Sequence, residues 1–221
     1  MRFLSIPILA AAVLLAALST PPACAAPAEF DAELLAIQQG WAEANYRSAN
    51  HDSKERAFAS LEQRTAAFVN RYPDRAEPLV WEGIVLSTHA GAKGGLGALS
   101  LAKRSRQKLE AAMKIDPATL EGSAYTSLGT LYYKVPGFPL GFGDRKKAES
   151  NLQQALQLNP DGIDPNFFYG EFLFEQGRYA EAMRHLEKAS NAPSRANRHL
   201  ADQGRHQEIL ALMTRVKGKL G

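Results

Sequence analysis

Apolar residues recur at helical spacing along most of this chain, and the recurrence comes in pairs of segments. Ala148, Leu152 and Ala155 follow one another every three or four residues, which makes one stripe of an amphipathic helix. A segment rich in large apolar residues precedes this stripe, and Pro160 follows it, where a helix cannot continue. The same pairing appears again before Pro193. The pattern therefore predicts helix hairpins joined by short turns.

The hairpins share one repeated sequence motif. A glycine stands near the middle of the first segment of each copy, at Gly83, Gly129 and Gly170, where a small residue lets the second helix approach closely. The copy that begins near Ile163 is the most regular, and the earlier copies are progressively weaker. Self-similarity at such a period indicates helix pairs stacked into a solenoid.

These residues resemble tetratricopeptide repeats, in which aromatic, Leu-Gly and Tyr positions are followed by Ala, a large residue, Ala and Pro over about 34 residues. The resemblance covers most of residues 29–193. It implies an all-α fold, a right-handed superhelical solenoid of helix hairpins. We expect about four units over residues 26–199, the first of them degenerate, and a C-terminal capping helix over residues 200–221 that covers the last repeat.

Two repeats are longer than the standard period, with insertions near residues 90–101 and 135–144. We interpret the first, which is rich in glycine, as a flexible turn between helices rather than a phosphate-binding loop, since it lacks the Gly-Lys-Ser/Thr ending. The second insertion carries three apolar side chains, Phe138, Leu140 and Phe142. These either anchor a partner or fold back over the neighbouring unit.

By the same resemblance, the first helices of the repeats line a concave groove. The candidate groove residues lie on the first helices of the last two repeats and are Thr126, Thr130, Tyr133, Lys134, Phe167, Glu171, Phe174 and Glu175. They lack the Lys, Asn and Arg residues with which some of these repeats hold a C-terminal carboxylate. Aromatic and acidic side chains suit a peptide with apolar and basic residues, and the alternative is that several aromatics pack against the adjacent unit.

The first 25 residues belong to a different physical class. Arg2 is followed by an unbroken apolar run, Ile8 to Leu18, which is too short to span a bilayer. A small-residue motif ending at Ala25 predicts a signal peptide over residues 1–25 and a periplasmic or secreted protein, with an uncleaved anchor as the rival interpretation. Lipid anchoring through Cys24 is disfavoured, because two prolines occupy the positions where a lipidation motif has Leu and a small residue.

Composition changes this picture little. The formal net charge is +3, and it becomes +2 when the signal with its single arginine is removed. The basic C-terminal stretch is interpreted as a solvated helix face rather than a nucleic-acid site. The histidines are scattered without a metal-binding spacing, and no nucleophile motif is present. We therefore expect no enzyme activity, no cofactor and no metal.

The function that follows is a non-catalytic, exported scaffold that binds a protein or peptide through the groove, the insertions or both. An alternative is an accessory subunit similar to the T-component of TRAP-type solute transporters, and a third is a role in envelope or exopolysaccharide assembly. We expect no stable membrane insertion after signal removal, and homo-oligomerisation is left open.

Overall fold

The structure is a computed structural model that describes residues 27–221, so the predicted signal over residues 1–25 lies outside the described residues. The described residues form these helices: α1 (Pro27–Tyr46), α2 (His51–Arg71), α3 (Ala76–Lys93), α4 (Gly95–Ile115), α5 (Thr119–Lys134), α6 (Arg145–Leu158), α7 (Ile163–Glu175), α8 (Tyr179–Ser190) and α9 (His199–Leu220). Between residues 27 and 221 the β pairing is limited to one isolated bridge, from Gly137 to Gly143. The all-α prediction is confirmed.

Each hairpin closes around the glycine that the repeat pattern singles out. A Cβ on Gly129 would lie 2.6 Å from Leu152 Cγ, and a Cβ on Gly83 would lie 2.6 Å from Leu109 Cγ. Both leucines are fully buried. The predicted role of these glycines, close approach of the second helix, is confirmed because the facing leucine fills the space that a side chain would need.

The turn predicted near residues 90–101 is wrong. Helix α3 runs to Lys93 and α4 starts at Gly95, so Gly94 alone separates them, with a φ of 65° that favours glycine. The extra residues lengthen both helices instead of forming a loop. Lys93, the cation of the rejected phosphate-binding alternative, pairs with Glu55 at 2.9 Å.

The odd-numbered helices form a closed inner ring. Along the chain, α1 contacts α3, α3 contacts α5, α5 contacts α7 and α7 contacts α9, and α9 then returns to contact α1. Each even-numbered helix packs between two successive members of this ring and contacts no other even-numbered helix. Ile209, Leu212 and Val216 of α9 are buried against the repeats. Helix α9 therefore covers the last repeat and also joins the two ends of the array.

The closure between α9 and α1 depends on a close approach at Gly204. A Cβ on Gly204 would lie 2.4 Å from Cδ1 and Cε1 of Tyr46. The Tyr46 ring packs edge-on against Trp41 at 5.8 Å between ring centroids. Ala201, one turn before Gly204, is buried in the same N-terminal apolar cluster as Trp41. Because burial dominates around the phenol, the pKa of Tyr46 is raised to about 12.

Candidate functional site

The ring of odd-numbered helices surrounds a cavity of about 500 Å³. All five of these helices, together with the α8–α9 linker, contribute to its wall. Its apolar wall residues are Trp41, Trp81, Ile84, Leu120, Ile163 and Phe168. Its hydroxyl-bearing residues are Ser87, Thr88, Ser123, Thr126, Ser127, Thr130 and Ser194. A cavity of this volume, lined by both apolar and polar side chains, has the dimensions of a small-molecule site.

Two tryptophans form one side of this cavity. The ring centroids of Trp41 and Trp81 lie 6.3 Å apart, and Trp41 Nε1 donates a hydrogen bond to Thr88 Oγ1 at 3.0 Å. The guanidinium carbon of Arg198 lies 5.2 Å from the centroid of the Trp81 ring. An aromatic surface with an adjacent cation is therefore built from α1, α3 and the residue that precedes α9.

An ionic network joins α7 to α9 at the cavity wall. Arg195 Nη1 lies 2.5 Å from Asp164 Oδ2, and Arg205 Nε lies 2.8 Å from Asp164 Oδ1. Burial by itself would raise the pKa of Asp164. The guanidinium groups of Arg205 and Arg195 nevertheless hold this pKa well below its usual range. Asp164 therefore stays ionised and fixes the start of α7 to α9.

Helix α9 covers the aromatic groove candidates of α7. Phe167 is only 6% exposed, and the Arg205 guanidinium carbon lies 4.5 Å from its ring centroid. Arg215 lies in the same way over Phe174, at 4.6 Å. The chain thus supplies its own helix, with apolar and basic side chains, to the surface where the sequence predicts a peptide of that chemistry.

The charged groove candidates are paired with one another. Tyr133 Oη donates a hydrogen bond to Glu171 Oε2 at 2.6 Å. Lys134 Nζ lies 2.7 Å from Glu175 Oε1 and 2.9 Å from Glu171 Oε1. Burial, reinforced by the Glu171 carboxylate, raises the pKa of Tyr133 well above its usual value. These four side chains form a bridge between α5 and α7.

Thr126 and Thr130 are the groove candidates that line the cavity. Thr126 is buried, and its carbonyl oxygen accepts a hydrogen bond of 2.9 Å from Thr130 Oγ1. The sequence reasoning missed Trp41, Trp81 and Arg198. No local signal identifies them, because Trp41 and Trp81 meet through the contact of α1 with α3, and Arg198 joins them only when the chain returns to α1.

The segment between Val135 and Asp144 forms an ordered loop, which we call the 135–144 loop. The Gly143 amide donates to the carbonyl of Pro136 at 2.9 Å, and a Cβ on Gly143 would lie 2.0 Å from the Val135 carbonyl oxygen. The Asp144 side chain accepts hydrogen bonds from the first amides of α6, as an N-cap does. These contacts fix the two ends of the loop where it joins α5 and α6.

The three apolar candidates of this loop have different surroundings. Phe142 packs edge-on against Tyr132 at 5.8 Å, and the guanidinium group of Arg106 lies 4.5 Å above its ring. Phe138 and Leu140, in contrast, are 92% and 74% exposed. Phe142 therefore folds back onto the repeat, as one alternative predicted, while Phe138 and Leu140 point into solvent.

Residues 27–221 contain no group of three His, Cys, Asp or Glu side chains arranged to hold a metal ion. Over the same residues, every helix is too short or too polar to cross a membrane.

Comparison with known proteins agrees with the observed architecture. Residues 140–197 match the tetratricopeptide repeat family. The fold is similar to the crystal structure of a thermophilic TPR protein from Thermus thermophilus, with a TM-score of 0.52 and 18% sequence identity over 83% of this chain and 92% of that one. No curated protein matches the sequence. Residues 140–197 therefore match a tetratricopeptide repeat, and the described helices share the fold of a tetratricopeptide-repeat protein.

Proposed function

We propose that this chain is a non-catalytic scaffold that binds a protein partner through the 135–144 loop. The observation that carries the proposal is the exposure of Phe138 and Leu140 at 92% and 74% on a loop whose base is fixed by hydrogen bonds. Because hydrogen bonds already fix the base of this loop, its backbone loses little conformational entropy when a partner buries these two apolar side chains. The tetratricopeptide fold supports a protein-binding function in general.

The surroundings of the loop indicate the chemistry of the partner. Arg145 and Lys146, which begin α6, are exposed directly beside the loop. Lys147 is exposed as well, so the start of α6 carries three cations against the single carboxylate of its cap, Asp144. We therefore expect the partner to offer an apolar pocket with an acidic rim, because apolar anchors and a charged rim of opposite sign complement this surface.

The groove is the weaker part of the scaffold proposal. Phe167 and Phe174 are covered by arginines of α9, and Glu171 and Glu175 are paired with Lys134. A peptide would have to displace these contacts before it could bind there. The loop requires no such rearrangement.

The test compares the chain without residues 1–25 with two variants. Phe138→Ser with Leu140→Ser removes both anchors, and Leu210→Ser, at a 59% exposed position of α9, is the matched control. Envelope extract is passed over each immobilised protein. We expect one set of partners to bind the wild type and the control and to be lost from the loop variant. A photo-crosslinking residue at position 138 then has to give an adduct with the same partner. If the loop variant retains every partner, the proposal is refuted.

Export is part of this proposal and is tested separately. The apolar run and the small-residue motif ending at Ala25 support a cleaved signal. Mass spectrometry of the protein recovered from the periplasmic or secreted fraction should give a chain that starts at Ala26. Recovery of the uncleaved chain from the cytoplasm would contradict export.

A second candidate function is that of an accessory subunit of a solute transport system, similar to the T-component of TRAP-type transporters. The closed ring with a cavity of about 500 Å³ favours it, because that volume suits a small solute better than a folded segment. Copurification of a solute-binding protein with the wild-type chain would support this candidate. This candidate would be contradicted if no solute-binding protein copurified and if the neighbouring genes encoded neither a solute-binding protein nor a permease.

A further inference from the structure

One guanidinium group on the cavity wall differs from its neighbours. Arg195 pairs with Asp164 and Asp202, and Arg205 pairs with Asp164 and Glu208. Arg198 lies within salt-bridge distance of no carboxylate among residues 27–221, and its buried Nε donates to no acceptor there.

A partly buried cation without a counter-ion is costly, and an anion placed beside it recovers that cost. Burial, reinforced by the positive charge of Arg195, lowers the pKa of Arg198, although the more distant carboxylates of Asp164 and Asp202 act in the opposite direction. A guanidinium group forms paired hydrogen bonds with a carboxylate in a fixed geometry.

The wall next to Arg198 is aromatic and apolar. Trp81 lies under the guanidinium group, Trp41 adjoins Trp81, and Ile84 continues the surface along α3. We infer that the cavity binds a small organic monocarboxylate, whose anionic group pairs with Arg198 and whose apolar body lies against the two tryptophans. This inference goes beyond the scaffold proposal, since no residue of the 135–144 loop lines the cavity.

The other charges of the wall restrict the ligand further. Glu121 and Asp161 also line the cavity, and both are exposed to solvent. Glu121 accepts a hydrogen bond from Asn159 Nδ2 at 2.6 Å, and neither carboxylate forms a salt bridge among the described residues. They disfavour a ligand with several negative charges. A ligand with a single carboxylate on an apolar body can pair with Arg198, and it has no second negative charge for Glu121 and Asp161 to repel.

The chain provides its own reporter for the test. Its sequence has two tryptophans, Trp41 and Trp81, and both line the cavity. Tryptophan fluorescence of the chain without residues 1–25 is titrated with hexanoate and benzoate, and with the neutral amides hexanamide and benzamide. We expect at least one acid to cause a saturable change, with its amide binding about tenfold to a hundredfold more weakly because a charge-assisted hydrogen bond is lost.

Two variants assign the effect to Arg198. Arg198→Gln should remove the preference for the acid over the amide while the thermal midpoint stays close to that of the wild type, since Arg198 forms no ion pair within the described chain. Arg184→Gln, at an exposed position of α8, is the matched control and should keep the preference. Circular dichroism of both variants verifies that the fold is retained.

Four outcomes would overturn the inference. The first is that neither acid causes a saturable change. The second is that acid and amide bind equally well, which would mean that the carboxylate contributes nothing. The third is that Arg198→Gln keeps the preference for the acid. Stronger binding of the tripeptide Gly-Gly-Leu than of either acid would instead identify a peptide terminus as the ligand and would also refute a small-molecule site. Loss of the preference in Arg198→Gln, with partner capture by the loop unchanged, would separate this site from the scaffold function.

Discussion

Replacement of Gly204 by alanine should open the closure between α1 and α9. The new Cβ would lie 2.4 Å from two carbons of the Tyr46 ring and 2.6 Å from a third, where ordinary contacts begin at 3.4 Å. The ring would therefore have to move by about 1 Å. It is held by Trp41 on one side and by Glu208, which lies 3.4 Å from its hydroxyl, on the other. Overpacking of this kind costs about 1–3 kcal/mol.

The gain in helix propensity works in the opposite direction and has to be measured separately. Alanine is favoured over glycine inside a helix by about 1 kcal/mol. Gly218 lies on the same helix, and a Cβ there would meet nothing within 4 Å, so Gly218→Ala measures the propensity effect without the clash. We expect Gly204→Ala to be less stable than Gly218→Ala by about 1–3 kcal/mol. For a domain of this size that corresponds to roughly 2–12 °C in thermal midpoint.

The assay is thermal and urea unfolding followed by circular dichroism, with tryptophan fluorescence as a local probe of the adjacent pair Trp41 and Trp81. A double-mutant cycle with Tyr46→Ala should give a coupling free energy of about 0.5–3 kcal/mol, because the smaller side chain makes room for the new methyl group. Equal stabilities of Gly204→Ala and Gly218→Ala would refute the reasoning. So would a coupling of zero, since the cost would then come from somewhere other than the Tyr46 contact.

Two further predictions concern the repeat core and the ionic network. Gly129→Ala should destabilise the fold by about 1–3 kcal/mol in urea unfolding, because its Cβ would lie 2.6 Å from Leu152, whereas Gly91→Ala, with open space around it, should be neutral or slightly stabilising. Asp164→Asn should destabilise the fold by about 1–3 kcal/mol at pH 7, less than a fully buried pair would lose because the aspartate side chain is 28% exposed. The folded-state pKa of Asp164 is depressed, so its contribution is complete above the unfolded value of about 3.9 and falls as the pH drops towards the folded value. The difference between wild type and variant should therefore shrink as the pH falls below about 4, and a difference independent of pH would contradict the assignment to Asp164.

The sequence allows the contacts within a hairpin to be predicted, because both partners lie in one repeat. Gly129 and Leu152 occupy fixed positions of the same repeat motif, and they lie against each other in the structure. The glycine-rich stretch near residue 94 misled the prediction. Leu101 and Ala102 are buried in the core, so packing extends α4 through a region whose local composition favours a turn.

The cavity could not be predicted, because its wall is completed by a contact between distant parts of the chain. Tyr46 and Gly204 meet only after four helix hairpins have each rotated the chain by a small angle. The repeat pattern specifies neighbours, and it does not specify the sum of those rotations. For the same reason the basic C-terminal stretch was expected to form a solvated face, whereas Arg198 and Arg205 of this stretch line the cavity.

The closure of the ring also decides which partners the interior can accept. A helix is about 10–12 Å across and rises about 1.5 Å per residue, so two turns of it occupy roughly 850–1,200 Å³. The cavity offers about 500 Å³, which is less than two turns, while recognition of a helix in a groove usually involves anchors spread over at least two turns. Accommodating two turns of helix would therefore require the ring to widen, and separation of α9 from α1 would break the Tyr46–Gly204 contact. Small ligands inside the ring and proteins at the 135–144 loop require no such opening.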